Sequence, residues 1–330
     1  MNEAENFCQG ICYPWQKVKV PLKSKLRYVP TGRDLEVASV PLDTVHKNGQ
    51  QSIDTHSLYA ISEHKATHDW FASQKQRTMI ITRSHFAGSG KWASTWLGDN
   101  VASLEQMQLS IFGVMMSNIF GMPLAGSDIC GFIGDTTPAL CTRWHFVGAF
   151  YPFSRNHNNW WEKSQEPYTF DPGMQKDLRT AIRVKYSLLK YYYTTLFDIS
   201  QYGTLTNVLG TTLYKPLFFE FPDDPLTTQL TRTMNMNIML GRQLKLSINP
   251  NSIETQGELE EQYYFPAGTW CVLSGNINNE APCLVVPDGG IFKGYPANVS
   301  DYQLHMREGA IIPYQNTLNE GLKFSTSQDL

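Results

Sequence analysis

The feature that most constrains the fold of this chain is an alternation of helical and strand-like segments over residues 53–221. The predicted segments are a helix over 53–71, a strand over 77–82, helices near 103–119 and 138–150 separated by a short strand at 123–125, a helix over 174–197 and a strand over 216–221. The strands are apolar along most of their length, as is typical of strands that are buried on both faces. The alternation therefore predicts an α/β fold built on a parallel sheet or barrel.

The pattern changes after Pro225. Short strand-like segments recur at intervals of about ten to twenty residues, as in antiparallel β-domains, and they lie at 262–265, 269–273, 283–286 and 310–312. This spacing predicts a β-sandwich domain over 225–330. We place the boundary near residue 224, because Pro222 and Pro225 interrupt both kinds of element.

Residues 8–52 have no helical or strand period. Four prolines are spread through this segment, namely Pro14, Pro21, Pro30 and Pro41. A run of this length without a periodic pattern inside a compact chain is typical of a functional loop or an insertion. We predict a long loop or insertion here.

Composition excludes several classes of protein. Of 330 residues, 42% are hydrophobic, which indicates a globular chain, and 27 Lys and Arg against 30 Asp and Glu give a net charge of −3. A chain without a basic excess has no field to hold nucleic acid, so we predict no nucleic-acid partner. No run of about 18 apolar residues is present, so we predict no membrane span.

The six cysteines fall into three pairs that are close in sequence: Cys8 with Cys12, Cys130 with Cys141, and Cys271 with Cys283. Disulfides that close short loops would indicate an oxidising compartment. Six buried thiols in a reducing compartment are the alternative, and the spacing leaves both interpretations open.

Polar residues cluster where the predicted strands end, which is where barrel enzymes carry their chemistry. Arg83 follows an apolar strand, so it is either a substrate contact or a member of a structural ion pair. Trp96 lies close to Asp99 in the sequence, and an apolar wall raises the pKa of a carboxyl group towards the range that a general acid needs. The alternative is that Asp99 or Asn100 caps the following helix.

Two further clusters follow the next strands. Asp128 could fix a sugar hydroxyl or orient another side chain, and His157 could donate to a hydroxyl. His64 and His68 have helical i, i+4 spacing, but the segment lacks the Glu of a zinc protease helix. We therefore predict no metal site.

Four motifs in order make the chain similar to family 31 of the glycoside hydrolases, the α-glucosidase family. They are Thr-Arg-Ser-His-Phe-Ala-Gly-Ser-Gly at 82–90, Trp-Leu-Gly-Asp-Asn at 96–100, Gly-Ser-Asp-Ile-Cys-Gly-Phe at 126–132, and Gly-Ala-Phe-Tyr-Pro-Phe-Ser-Arg-Asn-His-Asn at 148–158. Weaker support comes from Gln165-Glu-Pro167. The resemblance covers nearly the whole chain.

The resemblance implies a retaining, exo-acting hydrolase that removes α-linked glucose without a cofactor. It implies that 1–224 is the C-terminal part of a (β/α)8 TIM barrel, with the later strands only, and that 225–330 is an incomplete antiparallel β-sandwich domain. The expected substrate is an α-linked oligosaccharide or a maltose-like sugar. The family and the cysteine pairs together suggest a lysosomal, extracellular or other secretory-pathway location.

The resemblance also assigns roles to residues of this sequence. Asp99 matches the general acid/base. The substrate-binding positions are Arg83 and His157, which contact sugar hydroxyls, Trp96 and Phe132, which form apolar walls, Asp128, which supports the floor, and Met1. Cys130 and Cys141 match a pair that secretory-pathway members of the family bridge.

One catalytic position of the family has no counterpart in this sequence. The family's nucleophile is an Asp that directly precedes a Met-Asn-Glu segment, and this chain opens with Met1-Asn2-Glu3. We therefore expect a fragment that lacks its N-terminal part and is inactive alone, because no covalent glycosyl intermediate can form. The alternative is a naturally short, non-catalytic paralogue that binds a carbohydrate or a partner.

Overall fold

A computed structural model describes residues 3–4, 12–13, 16–17, 39–201, 211–229, 234–250, 261–275, 283–295 and 300–315. The chain divides into two units, Met1–Thr95 and Trp96–Leu330.

The first unit contains short strands and one long helix. Its elements are β1 (Cys12–Tyr13), β2 (Gln16–Lys17), α1 (Ser52–Thr55), α2 (Tyr59–Ser73), β3 (Ile81–Thr82) and the start of β4 (Ser94–Leu97). β1 and β2 are antiparallel, whereas β3 and β4 pair in parallel, with Ile81 opposite Ser94. Most of the loop predicted over 8–52 lies outside the described residues.

The second unit opens with the helices and parallel strands of the predicted barrel. They are α3 (Leu104–Ile119), β5 (Ala125–Ile129), α4 (Pro138–Gly148), β6 (Arg155–Asn156), α5 (Pro172–Ser187) and α6 (Leu189–Ser200). β5 lies between the end of β4 and β6, and β5 pairs with β6 in parallel. All five residues of β5 are buried, as expected for a strand with both faces covered.

Side chains that cap the helices explain where they begin. α3 follows Ser103, whose Oγ accepts a hydrogen bond from the Gln106 N–H at 3.2 Å. α4 follows Thr137, whose Oγ accepts from the Leu140 N–H at 3.2 Å, and α5 follows Asp171. Each cap satisfies a backbone donor that the first helical turn leaves without an intrahelical partner.

The second unit continues into antiparallel sheets. Their elements are β7 (Tyr214–Pro216), the short helix α7 (Pro225–Gln229), β8 (Asn237–Leu240), β9 (Leu244–Ile248), β10 (Glu261–Phe265), β11 (Gly268–Gly275), β12 (Cys283–Val286), β13 (Ile291–Tyr295) and β14 (Tyr302–Arg307). Six strands form one sheet in the order β12-β11-β14-β9-β8-β7, and β10 pairs with β13. The predicted fold class, an incomplete parallel barrel sheet followed by an antiparallel β-domain, is confirmed.

Several predicted elements differ from the structure. The helix predicted over 53–71 is α1, a 3₁₀ turn and α2, and the strand predicted over 77–82 is β3 alone. The helix predicted over 174–197 is two helices that meet at Leu188, where the Leu188 N–H donates to the Lys185 carbonyl in a tighter turn. The strand predicted over 216–221 is the end of β7 followed by a 3₁₀ turn, Leu217–Phe219. The segment predicted as a strand at 310–312 is irregular, and β14 lies just before it.

Apolar residues of the second unit form two cores. The larger one contains Trp144, Phe150 and Tyr151 from α4 and the turn after it, together with residues of α3, α5 and the antiparallel strands. The smaller one surrounds Trp270 and Phe265 in the β-domain. In the described part of the chain, no helix combines the length and the apolar character that a membrane crossing requires.

Candidate active site

Three neighbouring strands end in the second unit at segments that carry predicted site residues. β4 ends two residues before Asp99, β5 contains Asp128 near its end, and β6 ends one residue before His157. Parallel strands present their carboxyl ends at one edge of a sheet, and barrel enzymes place their sites there.

The Asp128 carboxylate is the centre of this site. It is completely buried. Its Oδ1 accepts a hydrogen bond from the Trp96 indole N–H at 2.8 Å, and its Oδ2 accepts one from the Asp99 backbone N–H at 3.1 Å. Arg155 forms an ion pair with Oδ1 at 3.5 Å. The Asp128 carboxylate therefore fixes both Trp96, the predicted apolar wall, and the backbone of Asp99, the predicted general acid.

Two opposing effects act on the protonation of Asp128. Burial raises the pKa of this carboxyl above its usual value, because the ionised form loses its hydration. The hydrogen bonds from Asp99 and Trp96 and the charge of Arg155 act in the opposite direction. Each donor therefore favours the ionised form that accepts its hydrogen bond.

Trp96 lies against the backbone of the turn that follows it. A Cβ atom placed on Gly98 would lie 1.9 Å from the Trp96 indole, so only glycine fits beneath the ring. The Arg155 guanidinium lies 5.3 Å from the centre of the same ring, which is a cation–π distance. These contacts explain why a glycine stands between the tryptophan and Asp99.

Asp99 is half-buried and has a left-handed backbone conformation, with φ of 60°. Non-glycine residues with positive φ are uncommon and are found disproportionately at functional sites. The neighbouring Asn100 binds the backbone of Asp128 in both directions, accepting from its N–H at 3.2 Å and donating to its carbonyl at 3.1 Å. The alternative that Asp99 or Asn100 caps α3 is wrong, because Ser103 is the cap.

Phe132 and His157 lie face to face across the turns that follow β5 and β6. Their ring centres are 5.0 Å apart, with the planes tilted by 32°. The Phe132 N–H donates to the Asn100 carbonyl at 2.7 Å, which joins this pair to the segment that carries Asp99. The structure thus brings together Trp96, Asp99, Asp128, Phe132 and His157 within one unit.

Sequence reasoning gave no site role to Gln165 or Asn156. The Gln165 side chain is buried, and its Nε2 lies within hydrogen-bond distance of the Ile129 and Gly131 carbonyls and of Asn156 Oδ1, at 3.0–3.2 Å. Asn156 in turn donates to the Gln165 carbonyl at 2.9 Å. This amide pair joins the turn before Phe132 to the strand before His157. The sequence signal was the motif Gln165-Glu-Pro167.

Arg155 is a second residue whose site role sequence reasoning missed. In the sequence it is part of the motif at 148–158 that contains His157. In parallel register it lies opposite Asp128, which places its guanidinium beside both Asp128 and Trp96. The pairing of Arg155 with Asp128 depends on the register between β5 and β6, and the sequence alone does not give that register.

Two disulfides are present in the described part of the chain. One joins Cys130 to Cys141, both of which are buried, and the other joins Cys271 to Cys283 across β11 and β12. His145 lies beside the first bond, and its Nδ1 is 2.9 Å from the Cys141 carbonyl oxygen. Burial lowers the pKa of His145 to about 4. The predicted pair of Cys8 with Cys12 includes a residue outside the described part.

Arg83 belongs to the first unit. Its Nε donates to Glu3 Oε1 at 2.7 Å, and Nη2 donates to Oε2. The hydrogen bonds from Arg83 lower the pKa of Glu3. This geometry matches the ion-pair alternative, and the role of Arg83 as a substrate contact stays a prediction. Met1 lies outside the described residues.

Among the described residues, one group of three potential metal ligands lies close together: Cys130, Cys141 and His145. The two sulfur atoms of this group are bonded to each other. A thiolate is what binds a metal, so this group does not fit a metal site.

Comparisons with known proteins agree with this geometry. Residues 1–195 match the family description "Glycosyl hydrolases family 31 TIM-barrel domain", and residues 210–312 match "Glycosyl hydrolase family 31 C-terminal domain". The chain is 34% identical to lysosomal alpha-glucosidase of Bos taurus over 96% of its own length and 33% of that protein. It is 32% identical to alpha-xylosidase 1 of Arabidopsis thaliana over 96% of its length and 35% of that protein.

Solved structures show the same likeness. The glucosidase II alpha subunit in a Tris-bound crystal structure has a TM-score of 0.70 and 25% identity, and the match covers 82% of this chain and 28% of that one. The curated relatives match nearly the whole of this chain, and the chain spans about a third of their length.

Proposed function

Because the chain belongs to glycosyl hydrolase family 31, we propose that its residues form the acid–base half of a retaining, exo-acting glycosidase site for α-linked glucosyl or xylosyl residues. The membership confirms the resemblance stated from the four motifs. The observation that carries the proposal is the buried carboxylate of Asp128, which fixes both Trp96 and the backbone of Asp99.

In the proposed reaction, Asp99 transfers protons in both steps. It first donates its proton to the glycosidic oxygen while an attacking carboxylate bonds to the anomeric carbon and the glycosidic bond breaks. It then removes a proton from water, whose oxygen displaces the carboxylate from that carbon. The left-handed backbone at Asp99 supports this role, because it turns the chain sharply at the end of β4.

The remaining residues are proposed to hold the sugar. Trp96 and Phe132 offer apolar faces to the C–H groups of the ring. His157, packed against Phe132, offers a polar edge to a hydroxyl, and Arg83 is proposed to do the same beside Glu3. Asp128 is a positioning residue in this scheme, since its oxygens already bind Trp96 and Asp99.

The resemblance assigns Asp99 as the acid/base and assigns the attacking carboxylate to no residue of this sequence. The similarity to an alpha-glucosidase and to an alpha-xylosidase supports an α-glucoside or an α-xyloside as the substrate. The lysosomal name of one relative and the two disulfides support a secretory-pathway location.

The role of Asp99 can be tested without the attacking carboxylate. β-Glucosyl fluoride has the anomeric configuration that the covalent intermediate would have, so it enters at the second step. An acceptor sugar then attacks the anomeric carbon, fluoride leaves, and Asp99 takes the proton of the acceptor hydroxyl. We expect the chain to form an α-linked disaccharide from this donor and 4-nitrophenyl α-glucoside as the acceptor.

The matched variants are Asp99→Asn and Asp288→Asn, because Asp288 is an exposed aspartate in the turn after β12. We expect Asp99→Asn to transfer glucose at least roughly 100-fold more slowly, in line with the usual contribution of a general base. Asp288→Asn should transfer at the parental rate. Equal rates for the parent and Asp99→Asn would remove Asp99 from the mechanism, and sugar binding without transfer would favour the non-catalytic paralogue.

A further inference from the structure

Two adjacent tryptophans lie almost fully in solvent on the loop that follows His157. Trp160 is 86% exposed and Trp161 is 82% exposed. Their ring centres are 5.9 Å apart and their planes are inclined at 68°, so the two indoles present faces in different directions. Exposed apolar patches on folded proteins commonly mark binding sites.

The backbone of this loop is held in place at both ends. The Asn159 N–H donates to the Phe132 carbonyl at 2.9 Å, and the Trp160 N–H donates to Asn159 Oδ1 at 2.8 Å. At the other end, the Lys163 N–H donates to Asp135 Oδ1 at 2.8 Å, and the two side chains form an ion pair at 3.3 Å. The indoles are therefore presented by a pre-organised loop.

The tryptophan pair lies on the segment that directly follows His157 of the proposed sugar site. Trp160 is three positions after His157, so their Cα atoms are at most about 11 Å apart. The hydrogen bond from Asn159 ends on the carbonyl of Phe132, the proposed wall of the sugar site. A sugar unit next to the one held by Phe132 and His157 would come within reach of the indoles.

We propose that Trp160 and Trp161 form a binding platform for a further sugar unit of an α-linked oligosaccharide. This inference rests on the proposed function, because it assigns the neighbouring sugar to that site. A pyranose ring has an apolar C–H face that packs on an indole and a rim of hydroxyls that needs polar partners. The same loop supplies those partners in the side chains of Asn158, Glu162 and Lys163.

The inclination of the two indoles favours α-linked chains. Successive units of an α-linked glucan turn relative to one another, whereas a β-1,4-linked chain is extended and flat. Two faces inclined at 68° match a turning chain better than a flat one. The platform should therefore bind maltotriose more tightly than cellotriose.

The test is sugar binding to the parent chain and to the double variant Trp160→Ala/Trp161→Ala, measured by isothermal titration calorimetry with maltotriose and with glucose. We expect the double variant to bind maltotriose about tenfold more weakly, which is about 1.4 kcal/mol, and to bind glucose as the parent does. The matched control is Phe120→Ala, because Phe120 is a 65% exposed aromatic at the end of α3, before β5 begins. It should bind both sugars as the parent does.

A conservative variant keeps the test decisive if the alanine substitutions disturb folding. Trp160→Phe/Trp161→Phe keeps two aromatic faces, and it should recover most of the maltotriose affinity. Equal maltotriose affinity in the parent and the alanine variant would overturn the proposal, as would a preference for cellotriose or a phenylalanine variant as weak as the alanine variant.

The proposed function and the platform can fail separately. Binding is measured without turnover, so its result does not depend on proton transfer by Asp99. Glucosyl transfer without any dependence of binding on the tryptophans would overturn the platform only. Tryptophan-dependent binding without transfer would overturn the role of Asp99 only.

Discussion

Asp128 shows how one side chain organises residues that are far apart in sequence. Its carboxylate binds Trp96 and the backbone of Asp99, and its own backbone is bound by Asn100. A completely buried carboxylate is unfavourable unless donors satisfy it, and here three residues from two other strand ends do so. The cost of burial is offset by contacts that also fix the orientation of the site.

His145 carries a prediction about the pH dependence of stability. Burial lowers the pKa of His145 to about 4, from 6.5, so the folded chain holds it neutral. Between pH 4 and 6.5 the unfolded chain binds more protons, so the free energy of unfolding rises with pH across this window. The contribution of His145 is fully present above pH 6.5, and it is lost as the pH falls towards 4. The contribution of His145 to the free energy of unfolding is roughly 3 kcal/mol.

Urea unfolding of the oxidised chain at several pH values between 4 and 7 measures this contribution. We expect His145→Gln to flatten the rise in the free energy of unfolding with pH, and the exposed control His46→Gln to leave it as in the parent. A parental slope in His145→Gln would show that this imidazole is protonated in the folded chain. His305, whose pKa burial lowers to about 3, supplies a further part of the slope in all three proteins.

At this scale the sequence predicted Trp96, Asp99, Asp128, Phe132 and His157, and the structure brings these residues together. It did so because each lies in a motif at a strand end. Arg155 and Gln165 lie in motif segments, but their roles could not be predicted, because their contacts depend on strand register and on a buried amide pair. Neither the register nor the amide pair is visible in a linear pattern.

At the scale of elements, the turns that follow the strands depend on unusual backbone conformations. Asp99, Cys130, Gly131 and Gly134 all have positive φ in the segments around the site. A Cβ on Gly131 would lie 2.3 Å from the Ala102 Cα, whereas a Cβ on Gly134 would meet nothing within 4 Å. An alanine at Gly134 would therefore meet only backbone strain, whereas an alanine at Gly131 would also clash with Ala102.

Alanine at these two glycines should have different effects on stability. We expect Gly134→Ala to lower the free energy of unfolding by about 1 kcal/mol, from the left-handed conformation alone. Gly131→Ala should lower it by at least about 3 kcal/mol, because the contact is with the backbone and the chain must shift. Chemical unfolding of both variants measures the difference. Equal losses would mean that the Gly131 turn relaxes without strain.

Most elements could be predicted from periodicity, and the errors have local causes. The helices α3 and α4 begin close to where they are predicted, and each follows a capping side chain, Ser103 or Thr137. The strand predicted over 216–221 ends at Pro216, and a 3₁₀ turn follows. An apolar run alone cannot distinguish a strand from a short buried turn.

At the scale of the whole molecule, the two disulfides differ in their access to solvent. Cys130 and Cys141 are buried, whereas Cys271 and Cys283 are half-buried at the edge of the six-stranded sheet. Reduction requires attack by a thiolate that can reach the sulfur, so we expect Cys271–Cys283 to be reduced first. Timed treatment with dithiothreitol, alkylation and peptide mass mapping give the order. Earlier labelling of Cys130 or Cys141 would contradict it.

Loss of the Cys271–Cys283 bond should also lower stability without changing the site. The bond closes a loop with a sequence separation of 12, so removing it should lower the free energy of unfolding by about 3 kcal/mol. Cys271→Ser/Cys283→Ser should still bind maltotriose as the parent does, because these residues lie in the antiparallel β-domain.

The bond between Cys130 and Cys141 has a different consequence, because Cys130 is the residue from which the chain turns towards Phe132, the proposed wall of the sugar site. A newly made polypeptide kept under reducing conditions would have every side chain of the site and still lack the cross-link that holds this turn against α4. Formation of the proposed sugar site would then be an oxidative event, and the thiol chemistry of the surroundings would decide where in the cell that site is first complete.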